Sequence, residues 1–261
     1  MRSATVLSRL GVTLCSTAPR LQLQPPTQSL VGLSRFSSIH RHRYCNMAAS
    51  RALLPVVYHP EYSAPQLGEK HTFPMQVFRR IHDRLLQRRV VAAQQLEQPT
   101  HMPSRAQLLA VHDANYVEAF LTGTLSQASV RRIGFGDITR TQTLIRRTLW
   151  ECAGTLLTAR LALACGLAVN TAGGTHHAHP SFGSGFCLIN DLGVTAETLL
   201  REAGNGVERV MVVDLDVHQG DGTAAMFADR ENVHVFDIHW WLLSTPTHTQ
   251  THTHTHTHTH T

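Results

Sequence analysis

The sequence predicts an α/β fold, a mostly parallel β-sheet with helices on both faces. Three short runs rich in β-branched residues predict strands: GLAVNTA, ERVMVVDLDVH and NVHVFDIH. The helical segments DLGVTAETLLREAG and GTAAMFADR lie between them, and this β–α–β alternation is typical of parallel sheets covered by helices. A chain of 261 residues, 42% of them apolar, is long enough for one large domain.

Two segments before the first strand carry apolar residues at helical spacing. They are MPSRAQLLAVHDANYVEAFLTGTL, residues 102–125, and TRTQTLIRRTLWECAGTLLTARLALACG, residues 139–166. This periodicity predicts amphipathic helices, because such residues share one face of a helix. We expect the second helix to close at Gly166.

The N-terminal segment, residues 1–50, differs in composition from the rest of the chain. Residues 1–51 hold seven arginines and many serines but no lysine and no acid. This composition is typical of a transit peptide for a mitochondrion or a plastid, which would lie outside the fold. The alternatives are a disordered basic tail on a cytoplasmic or nuclear protein, or translation that begins at Met47.

The charge of the whole chain is misleading. The net charge of +5 suggests an anionic partner, but beyond residue 51 the chain carries 16 basic against 18 acidic groups. The body of the protein therefore lacks the excess of basic residues that is typical of nucleic-acid-binding proteins. No apolar run approaches the ~18 residues that a membrane span needs, which argues against a membrane protein.

The C-terminal segment, residues 240–261, ends in a strict His-Thr alternation that is typical of a translated dinucleotide repeat. A metal-binding histidine tract is the alternative. The domain then spans residues 53–239. Its three cysteines have no CxxC spacing and indicate neither a disulfide framework nor a cysteine zinc site.

The motif DLDVH places two carboxylates and an imidazole two residues apart. On an extended strand, Asp214, Asp216 and His218 would project from one face. Converging carboxylates are costly to bury unless a cation neutralises them, and mixed oxygen and nitrogen ligands suit zinc or another divalent transition ion. Asp221 offers one more acceptor. The alternative is a strand end with solvated polar side chains.

Two adjacent histidines, His176 and His177, follow a Gly-Gly pair. Glycine allows the backbone to bend so that neighbouring side chains can face one site. Two imidazoles near an activated water could take its proton and protonate a leaving group. Asp214 and Asp221 could each hold the other ring nitrogen of one histidine. The alternative is a chance pair on the surface.

These motifs resemble a known family. GGTHHAHPSFGSGFCLIND, followed by VVDLDVHQGDGTAAMF, is similar to the zinc-dependent histone deacetylase and acetylpolyamine amidohydrolase superfamily, especially its class IV and bacterial branch. YHPEYSAP, HTFPM and VHDANYVEAFLTG also resemble that branch. The resemblance covers about Leu54 to His239 and implies an arginase-like α/β sheet.

The resemblance implies a zinc ion held by Asp216 and His218. It also implies a structural K⁺ near Asp214, Asp216 and His218, with carbonyls after Val235 contributing. The family needs a third zinc ligand, a later aspartate, and a tyrosine beyond it, and neither segment is recognisable here. The loss of the family pattern near His239 indicates a retained intron or a faulty gene prediction.

The resemblance also assigns roles to the remaining motif residues. His176 and His177 would handle protons beside the zinc, oriented by their aspartates. Gly185 and Phe186 match the glycine and phenylalanine that line the acyl-lysine tunnel, where an aromatic face grips an aliphatic stem. The substrate would be an acetylated lysine in a protein or a small acylated amine.

The sequence therefore predicts zinc-dependent hydrolysis of an acyl-lysine amide, with water as nucleophile and no activity in the chain as written. Two alternatives come from other function classes. One is a non-catalytic fragment that keeps an acyl-lysine pocket. The other is a manganese ureohydrolase of arginase type, which the adjacent histidines disfavour.

Overall fold

The computed structural model describes residues 2–8, 12–17, 53–67 and 71–240. Seven strands form one sheet in the order β4-β3-β5-β2-β1-β6-β7. The strands are β1 (Arg2–Ser8), β2 (Val12–Thr17), β3 (Val56–Val57), β4 (Leu96–Glu97), β5 (Leu167–Asn170), β6 (Val207–Asp214) and β7 (Val233–Asp237). Every pairing that omits β2 is parallel, while β2 runs antiparallel to both neighbours.

Seven α-helices accompany the sheet in the described part of the chain. They are α1 (Val77–Gln87), α2 (Arg105–Leu108), α3 (Ala114–Leu121), α4 (Gln127–Ile133), α5 (Gln142–Cys165), α6 (Asp191–Arg201) and α7 (Asp221–Met226). The predicted mostly parallel sheet and its alternation with helices are confirmed. None of the helices among these residues is long and apolar enough to cross a membrane.

The long helix α5 is the central support of the fold. Thr141 caps its N-terminus with a hydroxyl that accepts the Leu144 N–H, and Gly166, where φ is 91°, caps its C-terminus. The predicted end is confirmed, since a positive φ favours glycine. Leu156 and Ala159 pack in one buried cluster with α6 and β6, which holds these elements together.

The predicted helix over residues 102–125 is instead two helices, α2 and α3. The break lies at His112 and Asp113, where Asp113 donates its N–H to the Pro180 carbonyl. The His112 ring also bonds to the loop that contains Pro180. A contact with a distant loop therefore overrides the local apolar periodicity.

The N-terminal residues also differ from expectation, because two of their segments lie inside the sheet. β1 pairs in parallel with β6, and β2 pairs with β5, so the two strands fill the space between β5 and β6. Each contains valine and threonine, which favour strands, and the two provide backbone partners for two otherwise unpaired strand edges. The prediction that this segment lies outside the fold was based on its charge and did not consider its strand propensity. The predicted tail beyond Trp240 lies outside the described residues.

Candidate active site

The predicted site residues meet at one edge of the sheet. The loop with the two histidines follows β5, and Asp214 is the last residue of β6. Asp221 is the first residue of α7. Because β5 and β6 run in the same direction, their carboxyl ends lie at the same edge, where α/β proteins collect functional groups.

Two buried carboxylates accept hydrogen bonds from the backbone of the histidine loop. Asp191 accepts the N–H groups of Gly174, at 3.0 Å, and Thr175, at 2.8 Å, as well as the Thr175 hydroxyl. Glu151 accepts the Gly173 N–H at 3.3 Å. Gly173 has φ 103°, and a Cβ there would lie 2.6 Å from Asp191 Oδ2, so only glycine fits. Sequence reasoning missed both acids, although Asp191 ends the quoted motif.

His176 forms a buried pair with Asp214. Their Nδ1 and Oδ2 atoms are 2.5 Å apart, and the side chains are 6% and 1% exposed. Burial acts to lower the pKa of His176, but the hydrogen bond and charge of Asp214, with the charges of Asp216 and Asp237, outweigh it and raise that pKa. The pairing with Asp214 therefore favours the protonated form of the His176 ring.

His177 forms a second, more accessible pair with Asp221. Its Nδ1 is 2.7 Å from Asp221 Oδ1, and its ring centre is 4.2 Å from that of His176. Asp221 also meets His179, whose Nε2 is 3.3 Å from Oδ2. Burial acts to raise the pKa of Asp221, but the two histidines reverse this and lower it to about 2. His179 is a site residue that sequence reasoning missed.

Asp216 and His218 also converge, but not on a strand. β6 ends at Asp214, so the expected shared strand face is wrong for these two residues. Instead, Asp216 Oδ1 accepts the backbone N–H of His218 at 2.7 Å and lies 3.0 Å from its Nδ1. The His218 ring lies 6.0 Å from that of His177. A side-chain turn thus produces the convergence that the spacing argument assigned to a strand.

The donor set of this turn fits a zinc ion. Two ligand atoms of a tetrahedral zinc, each roughly 2.0 Å from it, are about 3.3 Å apart. Asp216 Oδ1 and His218 Nδ1 are 3.0 Å apart and supply one oxygen and one nitrogen. Within the described residues, no group of three His, Cys, Asp or Glu side chains is placed to hold a metal. The turn therefore offers two ligands of the three that a catalytic zinc takes.

Gly220 lies between two carboxylates. It donates its N–H to Asp237 Oδ2 at 2.6 Å, and a Cβ there would lie 2.6 Å from Asp214 Oδ2. Asp237 also meets His239 Nδ1 at 2.8 Å. Only a glycine allows the chain to pass between the two acids. Sequence reasoning missed Asp237, because its partner in this contact lies 17 residues away.

Gly185 lies beside the accessible His177, and Phe186 follows Gly185 in the chain. Both have positive φ, 52° and 65°, and a Cβ on Gly185 would lie 2.7 Å from the His177 ring. The Phe186 ring packs 5.2 Å from Phe73 and 5.1 Å from Phe135. The glycine thus leaves room against His177, and Phe186 belongs to an aromatic cluster with Phe73 and Phe135.

His112 connects the break between α2 and α3 to the site loop. Its Nδ1 donates to the carbonyls of His179 and Pro180, at 3.0 and 3.3 Å, and its Nε2 accepts the Asn190 N–H at 3.0 Å. Burial lowers its pKa from 6.5 to about 4, although the carbonyl contacts oppose the shift. The neutral ring is therefore the form that holds these segments together.

This buried ring predicts a pH-dependent stability. The unfolded chain takes up the His112 proton near pH 6.5 and the folded chain only near pH 4, so stability is lost as the pH falls between them. Through His112 alone, we expect the free energy of unfolding to fall by about 2–3 kcal/mol between pH 7.5 and 4.5. Urea unfolding of metal-free protein measures it. Over this pH range the free energy of unfolding of His112→Gln should fall by correspondingly less than that of the wild type. The exposed control His101→Gln should behave as the wild type, and an equal fall in all three proteins would contradict the assignment to His112.

Solved structures of histone deacetylase homologues share this fold. A homologue from Aquifex aeolicus matches with a TM-score of 0.55 and 21% identity, over 72% of this chain and 51% of that one. The HD domain of HDA15 matches with a TM-score of 0.56 and 22% identity, over 72% and 53%. The architecture is therefore that of the arginase and deacetylase class, as predicted.

The family follows from the sequence comparisons. The histone deacetylase domain family matches residues 71–259, and the chain belongs to it. An uncharacterized protein of Picosynechococcus sp. is 48% identical over 185 residues, which is 71% of this chain and 59% of that protein. The acetoin utilization protein AcuC of Staphylococcus aureus is 29% identical over 191 residues, 70% and 48% of the two chains. The chain spans about half the length of these curated relatives.

Proposed function

We propose that the full-length protein hydrolyses an acyl-lysine amide with zinc and water. The observation that carries the proposal is the meeting of two histidine–aspartate pairs with the Asp216–His218 turn at one sheet edge. Family membership supports the same reaction class and favours it over an arginase-type ureohydrolase. We extend the proposal to acetylated lysine in proteins and to small acylated amines.

The residues of the chain divide the proton chemistry between them. His177 has its Nδ1 paired with Asp221, so its Nε2 is the ring nitrogen that takes the proton of the attacking water and returns it to the leaving amine. His176 lies beside it, with its Nδ1 paired to Asp214 and its pKa raised by that carboxylate. Asp216 and His218 would hold zinc, which polarises the amide carbonyl and lowers the pKa of the water when bound. We also propose that a structural K⁺ binds near Asp214.

The test compares this chain with the full-length protein, both loaded with zinc. Two zinc ligands among the described residues fall short of the usual three, so we expect the 261-residue chain to bind zinc weakly and turn over no acetyl-lysine peptide. The full-length protein should hydrolyse either an acetyl-lysine peptide or an acetylpolyamine at ordinary enzyme rates. No hydrolysis of either by zinc-loaded full-length protein would refute the function. Ordinary turnover by the 261-residue chain would refute its inactivity.

We further propose that residues 1–50 direct the protein to a mitochondrion or plastid, because the segment is rich in arginine and free of acids. Fused to a fluorescent reporter, they should carry it into the organelle and be trimmed near Met47, a cleavage that in the protein itself would remove β1 and β2 from the sheet. A matched fusion with the arginines of this segment changed to glutamine should stay outside. A diffuse cytosolic or nuclear signal with an uncut N-terminus would contradict the proposal.

A further inference from the structure

Asp221 is shared by two imidazoles rather than one. Its Oδ1 is 2.7 Å from His177 Nδ1, and its Oδ2 is 3.3 Å from His179 Nε2. The carboxylate side chain is 48% exposed, so burial alone does not hold it in one orientation. Oδ1 also accepts the Gly222 N–H at 3.0 Å, whereas the hydrogen bond seen on Oδ2 among the described residues is the one to His179. The contact to His179 therefore restricts rotation of the carboxylate from the side away from His177.

His179 is itself held in place. Its ring stacks on Phe182 with centres 4.3 Å apart and planes 19° apart, and the Arg132 guanidinium lies 4.4 Å from the centre of that Phe182 ring. Its backbone N–H donates to the Phe182 carbonyl at 2.9 Å, and its own carbonyl accepts from His112. An anchored imidazole can orient a partly exposed carboxylate, whereas a mobile one cannot.

We propose that His179 is a positioning residue that orients the Asp221 carboxylate toward His177. The inference rests on the proposed function, in which His177 transfers protons and needs its Nδ1–H held by Asp221. When His179 no longer donates, Asp221 can turn toward solvent and His177 loses its fixed tautomer. The alternative is a purely structural role, in which His179 only stacks on Phe182 and stabilises the loop.

Two substitutions separate these roles, because one keeps the hydrogen-bond donor of His179 and the other keeps its stacked ring. His179→Gln keeps an N–H donor near the position of Nε2 and loses the stacked ring. His179→Phe keeps a ring that can stack on Phe182 and loses the donor. In the full-length enzyme we expect His179→Phe to lower kcat by about 10- to 100-fold, as removal of supporting contacts commonly does, with KM and zinc content unchanged. His179→Gln should retain kcat within a few-fold.

The exposed His101, whose ring bonds to Thr100, provides the control substitution His101→Phe. It should leave kcat, KM and zinc content at wild-type values. A loss of kcat in His179→Gln with full activity in His179→Phe would assign His179 to stacking and overturn the proposal. Wild-type kcat in both variants would also overturn it.

A second measurement does not depend on turnover. In the 261-residue chain, nitrogen-15 NMR should detect the His177 Nδ1–H, protected by its bond to Asp221. We expect this signal in wild type and in His179→Gln and its loss in His179→Phe. A signal that persists in His179→Phe, or is missing from wild type, contradicts the positioning role. The expected NMR pattern combined with an inactive full-length protein would leave the positioning of Asp221 intact and refute the hydrolase function instead.

Discussion

We expect Asp216→Ala to remove both zinc and acyl-lysine hydrolysis from the full-length protein. In the proposed zinc site the carboxylate would supply the oxygen ligand, and it also organises His218 through contacts to the backbone N–H and Nδ1 of that residue. Losing Asp216 therefore removes one ligand and releases the other. A site with three protein ligands would keep only two, one of them no longer held in place.

Metal analysis after gel filtration and a peptide hydrolysis assay measure this result. Asp229→Ala, at an exposed acid shortly after α7, is the matched control and should keep zinc and activity. Stoichiometric zinc in Asp216→Ala would show that the metal is held elsewhere. Zinc loss in both variants would point to unfolding rather than to a missing ligand, and circular dichroism distinguishes the two.

We expect His177→Ala in the full-length protein to lower kcat by about 10²–10⁴ while zinc stays bound, because general acid–base groups contribute in that range. His177 is paired with Asp221 and lies against Gly185, which leaves its ring accessible at the site. Asp216 and His218 are untouched by the change. The defect should therefore appear in turnover and not in metal content.

Steady-state kinetics with parallel metal analysis measures this effect. His234→Ala, at an exposed histidine in β7, is the control and should behave as wild type. Turnover of His177→Ala within a few-fold of wild type would show that another group transfers the proton. A parallel loss of zinc would place His177 among the metal ligands.

Several features could be predicted because they depend on neighbouring residues. The strands after Gly166 and in the VMVVD run, and the helix end at Gly166, follow from side-chain type and glycine's freedom at positive φ. The two histidine–aspartate pairs were also predicted, since a loop and a strand end at the same sheet edge bring them together. The resemblance to the family strengthened these assignments.

By itself, the sequence determined the strands β5 to β7, the helices α5 to α7, and the two histidines with their aspartates, and it brought Asp216 and His218 into the same site. Only the tertiary structure decided which distant groups complete the site. His179 reaches Asp221 across 42 residues, and Asp191 reaches Gly174 across 17. The placement of β1 and β2 between β5 and β6 is likewise a long-range pairing. Local patterns specify which face a side chain occupies, but contacts across such separations depend on which strands and loops become neighbours when the chain packs.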